Sequence, residues 1–264
     1  MSNSRSARAN TVKIFGVTIP SPLRRTARRF LNDAQIEQIL YRRRQIETPM
    51  LRLRTRRAAD LDALARLHGT DKSSYVHGYT RLYETHFASR RPTVRRLLEI
   101  GVGGIDSARG YETTEGGQSL RMWRDYFPNA EIVGIDIQAK AVSGPRLRFE
   151  QGDQSDPVFL RALIEKYGPF DIVIDDGSHI GSHITASFAM LWSAVTPGGM
   201  YVIEDLPLAY DARFEGGPPG TPGTAAEFIK AAVDDTLLRW NDPFRPSIAA
   251  MHVYGGIAFF EKAK

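Results

Sequence analysis

Between residues 95 and 203, short apolar runs alternate with amphipathic stretches of helical period. A chain with this alternation can bury its strands only in a parallel sheet wrapped by helices. Runs such as Ile172–Ile174 and Tyr201–Ile203 suit a sheet and are far too short to cross a bilayer as a helix. The pattern predicts strands at 95–100, 132–137, 147–150, 171–174 and 200–203, and helices at 119–126, 157–166 and 184–194. A hairpin, 249–254 with 257–261, is expected to follow around Gly255-Gly256. The expected fold class is therefore α/β and Rossmann-like, with a mainly parallel seven-stranded sheet.

The N-terminal quarter is different in kind. Residues 1–22 end in Pro20-Ser-Pro22 and read as a weakly ordered arm with one extended piece at 11–19. From residue 23 to 65, Phe30, Leu31, Ile36, Ile39, Leu40, Leu61 and Leu64 recur at helical spacing among arginines, with a break near Pro49, which predicts a small helical appendage. The expected division is an appendage at 1–65 and a larger domain at 66–264.

Charge divides in the same place: residues 1–60 hold 14 lysines and arginines against 4 acids, whereas residues 61–264 hold 21 against 26. A mildly acidic body argues against a nucleic-acid groove in the larger domain. The run Arg52-Leu-Arg-Thr-Arg-Arg57 reads as a solvated helix face, as a surface for an acidic partner or a second copy, or as a contact to nucleic acid or an anionic membrane. The chain has no cysteine, which excludes a disulfide framework, a thiolate metal site and a cysteine nucleophile. Its polar N-terminus lacks the apolar core of a secretory signal, so a cytoplasmic location is expected.

The first strand of the alternating region runs into Glu99-Ile-Gly-Val-Gly-Gly104, placing Gly101 and Gly103 where a ligand must approach the backbone closely. A plain strand exit explains such a turn equally well. Asp136 closes the second strand, where a carboxylate can accept from both ribose hydroxyls of a nucleoside cofactor. Gly152-Asp-Gln-Ser155 follows the third, so that Asp153 or Gln154 can meet an adenine amino group; a surface turn is the alternative for Asp153. A dinucleotide is disfavoured, because Ile105, Asp106 and Ser107 follow Gly104 and a loop at 108–118 delays the helix whose N-terminus a pyrophosphate prefers. S-adenosylmethionine (SAM) has no phosphate to place there.

The fourth strand ends in Asp175-Asp-Gly-Ser-His-Ile-Gly-Ser-His183 and the fifth in Glu204-Asp205. Carboxylates converging at neighbouring strand ends repel one another unless a cation or protons neutralise them. Asp176, Glu204 and Asp205 are the candidate ligands of a divalent ion, with Mg²⁺ favoured by an all-oxygen set. Helix capping by one or two of these acids is the alternative. His179, three residues after Asp176, is the candidate general base, with a structural role as its alternative, and a structural role is the expectation for His183. A metal and a base together suit removal of a proton from a hydroxyl acceptor.

These stretches, with Gly69-Thr-Asp-Lys72, His77-Gly-Tyr79, Tyr83 and Gly117-Gln-Ser-Leu-Arg-Met-Trp123, resemble the metal-dependent sugar O-methyltransferases of macrolide and related natural-product biosynthesis, the mycinamicin and tylosin type. The resemblance covers roughly residues 69–206 and implies a class I SAM-dependent methyltransferase. It implies Asp176, Glu204 and Asp205 as Mg²⁺ ligands, His179 as base, and Glu99, Gly101, Asp136 and Asp153 among the SAM contacts. It implies that residues 71–83 fold over cofactor and substrate, whereas Tyr79, Tyr83 and Phe87 read by spacing alone as a core-facing stripe. The acceptor implied is a hydroxyl-bearing, glycosylated small molecule, and a homo-oligomer is expected. Family members carry a larger N-terminal auxiliary domain, whereas about 65 arginine-rich residues precede Gly69 here. The loop 207–224, rich in glycine and proline, is the expected acceptor lid. The competing readings are a catechol-type O-methyltransferase, an NAD-linked oxidoreductase, and a non-catalytic binding protein that uses the basic arm.

Overall fold

The structure, a computed structural model, describes residues 60–103, 116–238 and 248–264, together with the backbone of 12–14, 17–19, 105–106 and 111–112. The helical stretch expected from residue 23 lies, up to residue 59, outside the described residues, and so do the arginine run 52–57 within it and Gly104. The chain forms two compact units, Met1–Glu84 and Thr85–Lys264.

In the first unit, β1 (Val12–Ile14) pairs antiparallel with β2 (Val17–Ile19), so the extended piece expected at 11–19 is a two-stranded hairpin. Helix α1 (Leu61–His68) starts where the Asp60 carboxylate accepts from the N–H groups of Asp62 and Ala63. It ends at Gly69, whose φ of 75° supplies the left-handed stop. Asp62 then ties the following loop down, accepting from the Ser74 N–H at 2.7 Å, the Ser74 hydroxyl at 2.8 Å and the Thr80 hydroxyl at 2.9 Å. Helix α2 spans Thr80–Phe87, and Tyr79, Tyr83 and Phe87 are all buried, as their spacing predicts.

The second unit is built on seven strands: β3 (Arg96–Ile100), β6 (Glu131–Asp136), β7 (Leu147–Gln151), β8 (Phe170–Asp175), β9 (Val195–Ile203), β10 (Ile248–Val253) and β11 (Ala258–Lys262). Their spatial order is β10-β11-β9-β8-β3-β6-β7. The pairings from β9 to β7 are parallel and the hairpin β10–β11 adds antiparallel at the β9 edge, so the sheet is mixed. The central strands are buried on both faces, which is why they read as unbroken apolar runs. Two further short strands, β4 (Ile105–Asp106) and β5 (Tyr111–Glu112), pair with each other in the loop that delays the next helix.

Helices α3 (Gln118–Tyr126), α4 (Pro157–Tyr167) and α5 (Gly181–Leu191) are the crossovers. Helix α4 shows the local logic: Asp156 caps the Val158 N–H, Pro157 takes the first turn where no amide donor is needed, and Leu160 and Leu163 face the core. Phe188 on α5 stacks on Trp192 and meets Tyr201 and Phe260, welding that helix to β9 and β11. A further helix, α6 (Ala225–Leu238), follows the expected lid; the lid itself contains two short 3-10 turns, Leu206–Tyr210 and Ala212–Phe214. The chain passes from β3 out to β6 and β7 on one side before returning to β8 on the other. That reversal opens a crevice at the carboxyl ends of β3 and β8.

Candidate active site

The crevice is walled by backbone that only glycine permits. Gly101 leaves β3 with a φ of 79°, and a Cβ there would lie 2.0 Å from the Asp176 carbonyl oxygen. The turn is fixed by the Gly101 N–H on Ile135 at 2.8 Å and the Asp176 N–H on Ile100 at 3.0 Å. Gly103, with a φ of 68°, instead faces open space. At the end of β6 the Asp136 carboxylate accepts from the Val102 N–H at 3.2 Å and the Gln138 N–H at 2.9 Å, tying its strand end to the glycine turn. Glu99, one residue before the end of β3, is fully buried.

After β7, Asp153 accepts from the N–H and the hydroxyl of Ser155, both at 2.8 Å. Those bonds hold its carboxyl below the usual carboxylate range. Gln154 turns inward. Its Nε2 donates to Asp175 at 3.1 Å and its Oε1 accepts the Ser178 N–H at 2.7 Å.

Asp175 and Asp176 part company because side chains alternate along a strand. Asp175 points into the core, where the Ser187 hydroxyl donates to it at 2.7 Å and the Tyr201 hydroxyl at 3.3 Å. Burial raises the Asp175 carboxyl even against the Ser187 and Gln154 hydrogen bonds, and burial beside that acid lifts the Tyr201 hydroxyl well above its ordinary value. Asp176 points out and meets His179 and Asp205. One ligand atom from each of the three lies within 4.8 Å of the others, on half-buried side chains.

His179 and Asp205 both adopt left-handed backbone, with φ of 60° and 54°. Residues of this kind are held there only where their surroundings over-determine them. Phe214, in the 3-10 turn Ala212–Phe214, stands edge-on to His179 at 6.2 Å between ring centroids. His183 lies with Nδ1 3.0 Å from the Ser178 hydroxyl, a role in holding the loop. Glu204 is buried, 1 % exposed, and is not among the three clustered groups.

Two carboxylates and an imidazole, with no sulfur, can hold a hard or borderline divalent ion, and a glycine-walled crevice closed by an acid at the end of β6 can take a nucleoside. Sequence reasoning did not find the inward network of Gln154, Asp175, Ser187 and Tyr201. Its one linear signal is Ser187, a hydroxyl on the otherwise apolar buried face of α5.

No protein-family model matches the chain. It is 43 % identical over 220 residues to the mycinamicin VI 2''-O-methyltransferase of Micromonospora griseorubida, covering 79 % of this chain and 54 % of that protein. Over 226 residues it is 40 % identical to the 8-demethyl-8-(2-methoxy-alpha-L-rhamnosyl)-tetracenomycin-C 3'-O-methyltransferase of Streptomyces olivaceus, covering 81 % and 57 %. The solved structure of the MycE methyltransferase of the mycinamycin pathway, in complex with Mg, SAH and mycinamycin VI, superposes with a TM-score of 0.71 at 42 % identity, covering 78 % of this chain and 54 % of that one. The chain thus spans about half the length of the curated relatives it matches.

Proposed function

We propose, from the class I methyltransferase fold of this chain and its homology to the sugar O-methyltransferases of macrolide and tetracenomycin biosynthesis, that it methylates a hydroxyl of a glycosylated natural product with SAM and Mg²⁺. The observation that carries the reading is the meeting of Asp176, His179 and Asp205 at the strand end packed against Gly101, whose turn is tied to Asp136. The proposal includes action in the cytoplasm, a homo-oligomeric assembly, and a functional domain spanning residues 66–264.

The residues divide the work. Asp136, oriented by two backbone N–H groups, would accept from the ribose hydroxyls. Gly101 and Gly103 would let the nucleoside approach the backbone, Asp153 would meet the adenine amino group, and Glu99 is carried over as a further cofactor contact. Asp176, Glu204 and Asp205 would hold Mg²⁺, two of them from the observed cluster and the third from the adjoining strand end. When bound, the ion would lower the pKa of an acceptor hydroxyl and fix its position. His179 would take the hydroxyl proton, with Asp205 3.8 Å from its Nε2 to stabilise the imidazolium. SAM, when bound, would supply the methyl group: a bond from the acceptor oxygen to the methyl carbon would form as the bond from that carbon to the sulfonium sulfur broke, leaving S-adenosylhomocysteine. The lid that carries Phe214 would close the acceptor side.

Calorimetric titration of S-adenosylhomocysteine into metal-stripped protein, with an Asp136→Ala control, tests the cofactor. Binding by the unmodified chain and loss in the control support it, and no binding under any condition overturns the reading. Transfer assays with glycosylated and catechol acceptors, with Mg²⁺ and with chelator, test the acceptor class. Turnover only of the catechol would replace the sugar assignment.

A further inference from the structure

Gln154 sits where a residue following β7 is expected to reach outward to a cofactor, yet both ends of its amide are engaged inside the protein. Its Nε2 donates to Asp175 at 3.1 Å, and its Oε1 accepts the Ser178 N–H at 2.7 Å. Only 6 % of the residue is exposed. The amide therefore bridges the buried end of β8 to the loop that presents Asp176 and His179.

The loop is fitted to this bridge. A Cβ on Gly177 would lie 2.1 Å from Gln154 Oε1, so the Oε1 occupies the space that any other residue at 177 would need. The loop also packs closely against the exit of β3, where a Cβ on Gly101 would meet the Asp176 carbonyl at 2.0 Å. The Gly177 N–H returns to Asp175 at 3.3 Å, and the Ser178 hydroxyl engages both the Ile180 N–H at 3.3 Å and His183 Nδ1 at 3.0 Å. Asp175 in turn is anchored by Ser187 on α5 and Tyr201 on β9. The backbone between Asp176 and His179 is thus held by the Gln154 amide at Ser178 and by the Asp175 carboxylate at Gly177, and the left-handed φ of His179 follows directly after them.

We propose that Gln154 is a positioning residue for the divalent-ion site: it touches neither ion nor cofactor, and its amide sets the spacing of Asp176 and His179 by clamping Gly177-Ser178 to Asp175. The assignment rests on the reading of Asp176, His179 and Asp205 as a metal site. An amide is suited because one end must donate to a carboxylate while the other accepts from a backbone N–H, and neither an ionised acid nor an apolar residue does both. Partners at this remove from a metal change its affinity by about 10–100-fold when lost.

The test is titration with Mn²⁺ alone, free ion read by electron paramagnetic resonance, beside calorimetric titration with S-adenosylhomocysteine. The proteins are the unmodified chain, Asp176→Asn, Gln154→Leu, Gln154→Glu, and Gln154→Glu combined with Asp175→Asn. Failure of the unmodified chain to bind Mn²⁺, or undiminished binding by Asp176→Asn, removes the metal site itself. With that site in place, the two single Gln154 variants should bind Mn²⁺ about 10-fold or more weakly while S-adenosylhomocysteine affinity moves less than about twofold. Gln154→Glu keeps an acceptor for Ser178 but sets a carboxylate against Asp175; the added Asp175→Asn restores a donor opposite it and should recover most of the Mn²⁺ affinity. Unchanged Mn²⁺ affinity in a folded single variant overturns the proposal. So does an equal loss of both affinities, which is the signature of a direct cofactor contact or a general collapse. Absence of recovery in the double variant also overturns it, and that measurement stands whether or not Gln154→Leu folds.

Discussion

His179 Nε2 lies 3.8 Å from Asp205 Oδ2, and each of the two residues reaches this meeting from a left-handed backbone, with φ of 60° and 54°. Such a conformation costs a non-glycine residue about 1–3 kcal/mol, and asparagine, aspartate and histidine tolerate it best. Asparagine is therefore the substitution that removes the charge and leaves the backbone content. Asp205→Asn is expected to keep the thermal midpoint within about 2 °C and to lose Mn²⁺ affinity by more than the roughly 10–100-fold of an outer-shell change. Asp205→Val should lose both, because a branched Cβ is poorly tolerated at positive φ. Differential scanning calorimetry and metal titration of the pair separate charge from backbone. Retained Mn²⁺ affinity in Asp205→Asn would take Asp205 out of the site.

Gly101 and Gly103 share a positive φ and differ in what surrounds them. At Gly101 an added Cβ meets backbone of the neighbouring strand exit at 2.0 Å, so Gly101→Ala must push β3 and β8 apart where the crevice opens. At Gly103 the same atom enters open space, and the cost is the backbone alone, about 1–2 kcal/mol. Gly101→Ala is expected to give insoluble protein or a midpoint lowered by 10 °C or more on the order of magnitude set by several kcal/mol. Gly103→Ala should fold with a small loss of stability, and any larger effect should show in S-adenosylhomocysteine affinity. Equal melting curves for the two would refute the packing argument.

What was legible in the chain follows from its periods. Strands β3, β6 and β8 are buried on both faces and so leave continuous apolar runs, and each ends at or just before a residue whose chemistry stands out: Gly101, Asp136, Asp176. Helix α6 was not foreseen, because the Gly-Pro stretch before it masks its start. Thr224-Ala-Ala-Glu227 nevertheless has the form of a capping box, and the Thr224 hydroxyl does accept the Glu227 N–H at 3.3 Å. Gln154 reads in the sequence as a candidate cofactor contact, and its inward role is not visible there, since its partners Asp175 and Ser178 are 21 and 24 positions away and meet it only through the sheet. The alternation that sends Asp175 inward and Asp176 outward is a period-two consequence, but it depends on where β8 ends, the least determinate feature of any strand.

Asp153 offers a pH test outside the metal cluster. The Ser155 N–H and hydroxyl hold its carboxyl below the ordinary aspartate range in the folded chain. A carboxyl lowered on folding adds stability that is present above its unfolded pKa and disappears as pH falls through the folded value. Asp153→Asn should therefore be less stable than the unmodified chain at pH 7, and the gap should close as pH drops below about 4, the ordinary aspartate value. Urea unfolding of both proteins from pH 7 to pH 3 reads it. A gap that widens toward acid would reverse the sign and remove the Ser155 bonds as its cause.

The assignment of His179 as base can be separated from its place in the metal cluster by choice of replacement. Asparagine accepts the left-handed backbone and retains an oxygen that can face a divalent ion, but it cannot take up a proton near neutral pH. His179→Asn is thus expected to bind S-adenosylhomocysteine like the unmodified chain and to keep most of its Mn²⁺ affinity. Turnover should fall by about 10²–10⁴-fold, the usual contribution of a positioned general base. Because the missing step is deprotonation, the residual rate should climb steadily with pH. A variant that loses Mn²⁺ and turnover in the same proportion would instead make His179 a ligand, and the base would have to be sought among the groups the lid brings in beside Phe214.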